Sequence, residues 1–264
     1  MMDGSKIILA AHRGDRASFP ENTMPAFRSA LDFGADMIET DVRETKDGEL
    51  VLIHDRSALR TAGVDVNVDG LTLEELRRLD ASFGFGEEHR GTPIPTVREL
   101  MELIAPTDMT VNWEIKVYPK DFGAEATFAL VDKLVSLIDD YGLSERSMIN
   151  SFSDLTLEYF KNKYGDLYPI HGQGIDACRR SNDVAEMPRE ELYDWCCLYP
   201  EVKGERVLDY PGGFDYCRKH GIIPCVCIKD DEEDYGRAIE LGCRMFTTND
   251  MRECARILKA LGHR

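Results

Sequence analysis

Two carboxylates and an imidazole recur where a single β-ribbon would bring them together. The stretch Met37-Ile-Glu-Thr-Asp-Val-Arg-Glu-Thr-Lys-Asp-Gly-Glu-Leu-Val-Leu-Ile-His-Asp55 has apolar and β-branched residues on both sides of Asp47-Gly48. An Asp-Gly pair in that setting is the strongest short signal for a two-residue hairpin turn. Counting back from it sets Lys46 opposite Glu49, Thr45 opposite Leu50, Glu44 opposite Val51 and Asp41 opposite His54. Side chains two apart share a face of a strand, so Glu39, Asp41 and His54 converge. Unpaired buried charge is costly, and a divalent cation beside a general acid/base accounts for all three groups. The alternative is a solvated edge hairpin with ordinary surface charges. The convergence depends on the turn, because a slip of one residue sends the side chains to opposite faces.

These residues need a frame, and short apolar runs alternating with amphipathic segments along the whole chain provide one. Strands are predicted at Ile7–His12, Met37–Arg43, Thr110–Lys116, Met148–Phe152, Tyr168–His171, Trp195–Tyr199, Ile222–Lys229 and Arg244–Thr248. Helices are predicted at Pro25–Phe33, Val97–Ala105, Ala124–Tyr141, Asp154–Tyr164, Gly213–His220, Glu232–Leu241 and Asp250–Leu261. Thr23 and Pro25 supply N-terminal capping chemistry for the first helix, and Gly34, Gly142, Gly165, Gly221 and Gly242 stand where C-caps belong. Strand followed by helix, repeated without a second composition regime, indicates one α/β domain over residues 1–264, a parallel (β/α)8 TIM barrel. Leu50–His54 is an antiparallel excursion from strand two, so the hairpin sits on that strand. Residues 56 to about 93 form a small insertion after the hairpin, with a short helix at Thr72–Leu79, and cover the active-site face.

Chemistry in such barrels gathers at the C-terminal ends of the strands. Strand one ends in His12-Arg13-Gly14, strand two in Glu39-Thr-Asp41 with His54 on its hairpin, and strand three in Glu114-Ile-Lys116. Three carboxylates suit a hard cation such as Mg²⁺ or Ca²⁺. Arg13 and Lys116 are the residue types that clamp phosphate oxygens, one as a fork and one as a point charge. Two histidines, His12 and His54, can divide proton removal from proton delivery. Each residue alone has an ordinary structural reading as an ion pair or a satisfied imidazole. Their joint occurrence at successive strand ends points to cleavage of a phosphodiester.

Composition narrows the partners. A formal net charge of −17 argues against nucleic acid and against binding an anionic membrane by charge alone. No stretch is long and apolar enough to serve as a stable membrane anchor, and MMDGSKIILAAHRG does not read as a signal peptide. All eight cysteines follow residue 177, and without a secretion signal they fit reduced thiols in a cytoplasmic protein. Cys225 and Cys227 share one face of a strand. A metal site there needs a second ligand pair, which no spacing supplies, so buried free thiols are the expectation.

The motifs His12-Arg-Gly14, Pro20-Glu-Asn-Thr23, Glu39-Thr-Asp41, Asp47-Gly48, His54-Asp55, Pro93-Ile-Pro-Thr96 and Glu114-Ile-Lys116 together resemble the glycerophosphodiester phosphodiesterase family. Ser151-Phe152 and Thr247-Thr-Asn-Asp250 are weaker echoes. The resemblance implies a metal-dependent TIM barrel with a small insertion after the His-Asp pair. It implies Glu39, Asp41 and Glu114 as metal ligands, His12 and His54 as the acid/base pair, and Arg13 and Lys116 as substrate-binding residues on the phosphate. The implied cofactor is Mg²⁺ or Ca²⁺. The implied reaction hydrolyses a small-molecule glycerophosphodiester to glycerol 3-phosphate and an alcohol such as choline or ethanolamine. Glu21 and Asn22 fall on the loop after strand one, as ligands or as braces, and Phe19 packs under the insertion or faces substrate. The second half departs from the family pattern. Cys227-Ile-Lys-Asp230 stands where the family often has Trp-Thr-Val-Asn, and His171 is an unusual residue near a strand end. Facing the pocket, Lys229 and His171 would favour a further anionic or hydroxyl-rich group. Otherwise they are surface or structural residues. Two alternatives are phospholipase-D-like cleavage of lysophospholipids, with Phe83-Gly-Phe85 on an apolar rim, and a non-catalytic metal- or phosphate-binding barrel.

Overall fold

Alternating side chains from each strand enter two different clusters, and that alternation builds the molecule. The computed structural model describes residues 6–174, 184–199, 201–202, 205–209, 212–227 and 229–264. Residues 1–5, Cys178 and Ile228 of the stretches read above lie outside them. The strands are β1 (Ile8–His12), β2 (Met37–Glu44), β3 (Leu50–Leu52), β4 (Thr110–Ile115), β5 (Ser147–Ser151), β6 (Ile170–Gln173), β7 (Trp195–Leu198), β8 (Glu201–Val202), β9 (Glu205–Arg206), β10 (Ile223–Val226) and β11 (Met245–Thr248). Among the described residues, eight of them run parallel in the order β1, β11, β10, β7, β6, β5, β4, β2, and a β1–β2 pairing closes the ring. The fold is the (β/α)8 barrel expected from the βα alternation.

Leu9, Ala11, Ile38, Val42, Val111, Trp113 and Ile115 pack outward in the main core, which the helices share. The opposite phase, with Ile8, Ala10, Met37, Met148, Trp195, Cys197, Cys225 and Met245, fills a second cluster. His12, Glu39, Asp41, Asn112 and Glu114 continue that second phase toward the strand C-termini. The same pleat that buries apolar side chains below therefore aims polar ones into the mouth above.

Helix ends follow local chemistry. Helix Met24–Phe33 begins after Thr23 with a proline in its first turn and stops at Gly34, whose φ of 81° is left-handed. Helix Val97–Ile104 starts in a capping box in which the Thr96 side chain accepts from the Glu99 amide while the Glu99 carboxylate takes the Thr96 amide. The insertion carries helices Leu59–Ala62 and Leu73–Leu76 and two short 3-10 turns. The predicted helix Thr72–Leu79 shortens to Leu73–Leu76, again with a Thr72/Glu75 capping box. Val68, Leu76 and Ala81 of this segment join Val51, Ile53 and Ile94 in a cluster of their own.

The hairpin register differs from the predicted one by a residue. Glu44 pairs with Leu50, Arg43 with Val51 and Val42 with Leu52. Thr45 N–H donates to Glu49 O at 3.0 Å, so Lys46-Asp47-Gly48 is a three-residue loop with Gly48 at φ 86° rather than a two-residue turn. That is the common three-residue hairpin, in which a left-handed glycine adds a bulge. Asp41 then lies opposite Ile53, whose amide donates to Asp41 O at 3.0 Å. Strict alternation in this register would send His54 to the face of Val42. It escapes because the ladder ends at Leu52, and Arg43 Nε donates to the freed His54 carbonyl at 2.9 Å.

Candidate active site

The sequence-predicted residues meet at the C-terminal mouth of β1, β2 and β4. Register places His12 beside Glu39, Glu39 beside Asn112, and Asp41 beside Glu114. Glu39, Asp41 and Glu114 are all buried, with ligand oxygens within 4.8 Å of one another. Burial first, and then the charges of Asp41 and Glu114, push Glu39 well above the usual carboxylate range. Burial likewise raises Glu114, against the pull of Lys116. Asp41 moves the other way, because Lys116 and Arg13 outweigh its burial and hold it below the ordinary range. Both Glu39 oxygens are buried without a hydrogen-bond donor, and Asp41 Oδ1 is buried with only the ion pair to Lys116, 3.2 Å away.

Arg13 and Lys116 flank this cluster. Arg13 Nε lies 3.0 Å from Asp41 Oδ2 and its Nη1 donates to Glu21 Oε1 at 2.8 Å. Lys116 Nζ is 3.2 Å from Asp41 Oδ1, donates to Glu114, and stands 5.1 Å above the Phe152 ring. Arg13 adopts φ 61°, a left-handed conformation that turns its side chain back over the mouth. Gly14 follows at φ 78°, where a Cβ would sit 2.8 Å from the Ala26 carbonyl carbon. The glycine of His-Arg-Gly lets the loop lie on the first helix.

The histidines are held in the same way from opposite sides. His12 Nδ1 is 2.6 Å from Asn249 Oδ1, and its Nε2 lies 3.8 Å from Glu39 Oε2. His54 Nδ1 is 2.6 Å from Asp55 Oδ1, and Arg60 Nε donates to the other Asp55 oxygen at 2.5 Å. With Nδ1–H donating in each case, both Nε2 lone pairs are left for chemistry. Burial, helped by Arg13, lowers His12 to about 3, and burial with Lys116 lowers His54. Both imidazoles are therefore neutral at pH 7 before substrate arrives.

Three residues of the loop after strand one, each left between two roles by the sequence, find their partners here. Asn22 donates to Asp41 Oδ2 at 2.7 Å and accepts from Thr40 Oγ1 at 2.8 Å, so it braces Asp41. Its φ of 55° suits asparagine, which tolerates the left-handed region, and Pro-Glu-Asn-Thr was the available signal. Glu21 collects Arg13 at 2.8 Å, Arg16 at 2.8 Å and Arg60 at 2.7 Å, which draws its carboxyl down to about 2 against its burial. It clamps the first loop to the insertion. Phe19 packs on the insertion, its ring 5.2 Å from that of His89. Beside His54 and Lys116 opens a cavity of about 310 Å³, lined also by Arg43, Arg56, Tyr118 and Phe152.

Of the two second-half departures, neither borders that cavity. Lys229 is exposed. His171 is buried below the mouth, with Nδ1 2.8 Å from Asn112 Nδ2. Among the described residues, no helix is long and apolar enough to cross a membrane.

Known proteins are similar to this chain over most of its length. The model of the glycerophosphoryl diester phosphodiesterase family matches residues 12–253. A glycerophosphodiester phosphodiesterase of Caldanaerobacter subterraneus subsp. tengcongensis is 36 % identical over 254 residues, covering 93 % of this chain and 95 % of that protein. A glycerophosphodiester phosphodiesterase structure from Agrobacterium tumefaciens superposes with a TM-score of 0.74 at 23 % identity, over 95 % of this chain and 99 % of the other. An Oleispira antarctica phosphodiesterase, solved with the product sn-glycerol-3-phosphate, gives 0.76 at 21 % identity, over 96 % of each chain. At those identities the structures speak for the fold alone.

Proposed function

Because the chain belongs to the glycerophosphoryl diester phosphodiesterase family, we propose that it hydrolyses glycerophosphodiesters to glycerol 3-phosphate and a free alcohol. The product carried by the Oleispira relative fits that reading. The observation that carries it is the buried trio Glu39, Asp41 and Glu114, with oxygens left without donors, set between two cations and two neutral imidazoles. Carboxylate donors of this kind suit a hard divalent cation. Fully ionised, three carboxylates against Arg13 and Lys116 leave a local charge of −3 + 2 = −1, which repels a phosphodiester. Held by Glu39, Asp41 and Glu114, Mg²⁺ or Ca²⁺ would reverse that balance and polarise a phosphoryl oxygen as a Lewis acid.

The chain's own groups do the rest. Arg13 and Lys116 orient the phosphoryl oxygens and neutralise charge that develops on them. His12, whose Nδ1 rests on a neutral amide, takes a proton at Nε2 from the nucleophile, water or the adjacent glycerol hydroxyl. His54, neutral in the free protein, first takes a proton from solvent at Nε2 as the anionic substrate enters, with Asp55 stabilising the imidazolium. It then delivers that proton to the departing alcohol oxygen as its P–O bond breaks. The 56–93 segment, tied to the first loop by Arg60, walls the His54 side as a subdomain of one barrel domain.

A second reading, cleavage of lysophospholipids, draws on one observation: Leu59, Val64, Phe83 and Phe85 of the insertion are exposed apolar residues. One assay addresses both. Glycerol 3-phosphate release from glycerophosphocholine and glycerophosphoethanolamine is measured with Mg²⁺, Ca²⁺ or EDTA, beside choline release from lysophosphatidylcholine, with His54→Ala as control. Metal-dependent release from the glycerol diesters, abolished by His54→Ala, is expected. Activity on the lysolipid alone would favour the second reading, and tight metal binding with no turnover on any substrate would favour a binding protein.

A further inference from the structure

Below the carboxylate mouth, three neighbouring strands bring soft donors to one point. β7 lies between β6 and β10, and Cys197 on β7 pairs directly with Cys225 on β10. His171 on β6 reaches across β7, and its Nε2 stands 3.0 Å from Cys225 Sγ. The imidazole nitrogen and both sulfurs lie within 4.8 Å of one another. Exposures of 3 % for His171, 7 % for Cys197 and 0 % for Cys225 place them in the interior, with Cys197 keeping a little open surface. No spacing in the sequence announces this group, because its members come from three strands.

A buried thiol–imidazole hydrogen bond is the simplest account of a Cys–His pair, but it leaves two features over. One is the second sulfur. The other is Asn112, fully buried, whose Nδ2 is 2.8 Å from His171 Nδ1 while its Oδ1 has no partner. Turned over, the carboxamide offers that oxygen to a proton on Nδ1 without losing a hydrogen bond. Nε2 then presents its lone pair to the two sulfurs. A metal-binding histidine is normally oriented in this way, with its far nitrogen donating to an oxygen.

We propose that His171 Nε2 and the thiolates of Cys197 and Cys225 bind a thiophilic divalent cation of the Zn²⁺ class, in a site separate from the carboxylates. Each ligating thiol gives its proton to solvent, and the fourth corner of the tetrahedron is left to water. Among the described residues, no further His, Cys, Asp or Glu joins the group. Tetrahedral bonds of about 2.3 Å to sulfur and about 2.1 Å to nitrogen set donors roughly 3.6–3.8 Å apart, inside the envelope these atoms occupy. Donor hardness separates the two sites, since Mg²⁺ and Ca²⁺ prefer oxygen ligands and Zn²⁺ and Cd²⁺ accept nitrogen and sulfur. The bound cation would join three adjacent strands and stabilise the fold by mass action.

The test is a Cd²⁺ titration of the reduced, metal-stripped, full-length protein in excess Mg²⁺, followed by thiolate-to-cadmium charge-transfer absorption. One equivalent should produce the band, Zn²⁺ should displace it, and the melting temperature should rise with loading. Cys197→Ser and Cys225→Ser should each weaken binding at least about tenfold, while Glu39→Gln and Cys227→Ser leave it unchanged. Absence of the band in the wild-type protein would overturn the proposal whether or not the variants fold. So would a band that survives both serine substitutions and is lost with Cys227→Ser, which places the cation on the accessible thiol.

Discussion

Glu21→Gln tests whether the arginine clamp contributes to stability as its geometry implies. Three guanidiniums meet the Glu21 carboxylate, from Arg13 at 2.8 Å, Arg16 at 2.8 Å and Arg60 at 2.7 Å, and its side chain is only 9 % exposed. The clamp lowers the carboxyl from 4.5 to about 2. A difference of that size between the folded and unfolded chain corresponds to about 3.4 kcal/mol at neutral pH. Glutamine keeps one acceptor, and Arg60, at 46 % exposed, recovers hydration when released. A loss of roughly 2–3 kcal/mol is therefore expected at pH 7, equivalent to roughly 5–10 °C in melting temperature for a chain of this size. The sign of the pH dependence follows from a depressed carboxyl. Its stabilisation is complete above 4.5 and disappears as pH falls toward 2. At about pH 3 the full linkage gives about 1.4 kcal/mol, so the gap between the proteins should shrink by more than half. Urea unfolding of both proteins at pH 7 and pH 3 provides the comparison, and other carboxyl groups cancel in the difference. A gap under about 1 kcal/mol at pH 7, or an equal gap at both pH values, would refute the reasoning.

Asn22→Ala removes the brace on Asp41 from a position at φ 55°, and metal affinity measured by titration calorimetry should fall about 10- to 100-fold. Asn22→Gly, free of backbone strain, should lose affinity to a similar extent while unfolding less readily. Gly14→Ala forces a Cβ to 2.8 Å from Ala26 backbone at φ 78°, and urea denaturation should show a loss of about 3 kcal/mol or more. Asp55→Asn withdraws the carboxylate behind His54, so kcat should drop at least about tenfold, and His54→Ala should cost about a hundredfold or more in steady-state assays. Adding Mg²⁺ or Ca²⁺ at about 100 times its dissociation constant should stabilise the EDTA-treated protein by about 2.7 kcal/mol, read as a shift in thermal melting. No shift with either ion would argue against a cation among Glu39, Asp41 and Glu114.

Much of the barrel was legible because its determinants are local. Apolar runs of strand length, amphipathic helices, Pro25 in a first turn and Gly34 at a C-cap all act within a few residues of themselves. The carboxylates, histidines and cations could be read from strand ends because the pleat repeats every second residue, so Met37, Glu39 and Asp41 must share a face. Loop geometry was less transparent. Asp47-Gly48 announced a turn but not its length, and the three-residue loop displaced the ladder by one position. His54 still reached the site because pairing stops at Leu52, a decision made by packing and by Arg43 rather than by turn propensity.

The sequence by itself determined the order of strands and helices, the inward phase of Glu39, Asp41 and Glu114, and the positions of His12 and Arg13 at the end of the first strand. Tertiary structure decided who holds whom. Asn249 reaches His12 from the last strand's end, Asn22 braces Asp41, and Glu21 gathers arginines from two loops. His171, Cys197 and Cys225 become one cluster only when β6, β7 and β10 lie side by side. The physical reason is range. Periodicity and capping act through bonds and turns a few residues long, whereas these contacts join residues whose separation is set only by closure of the ring.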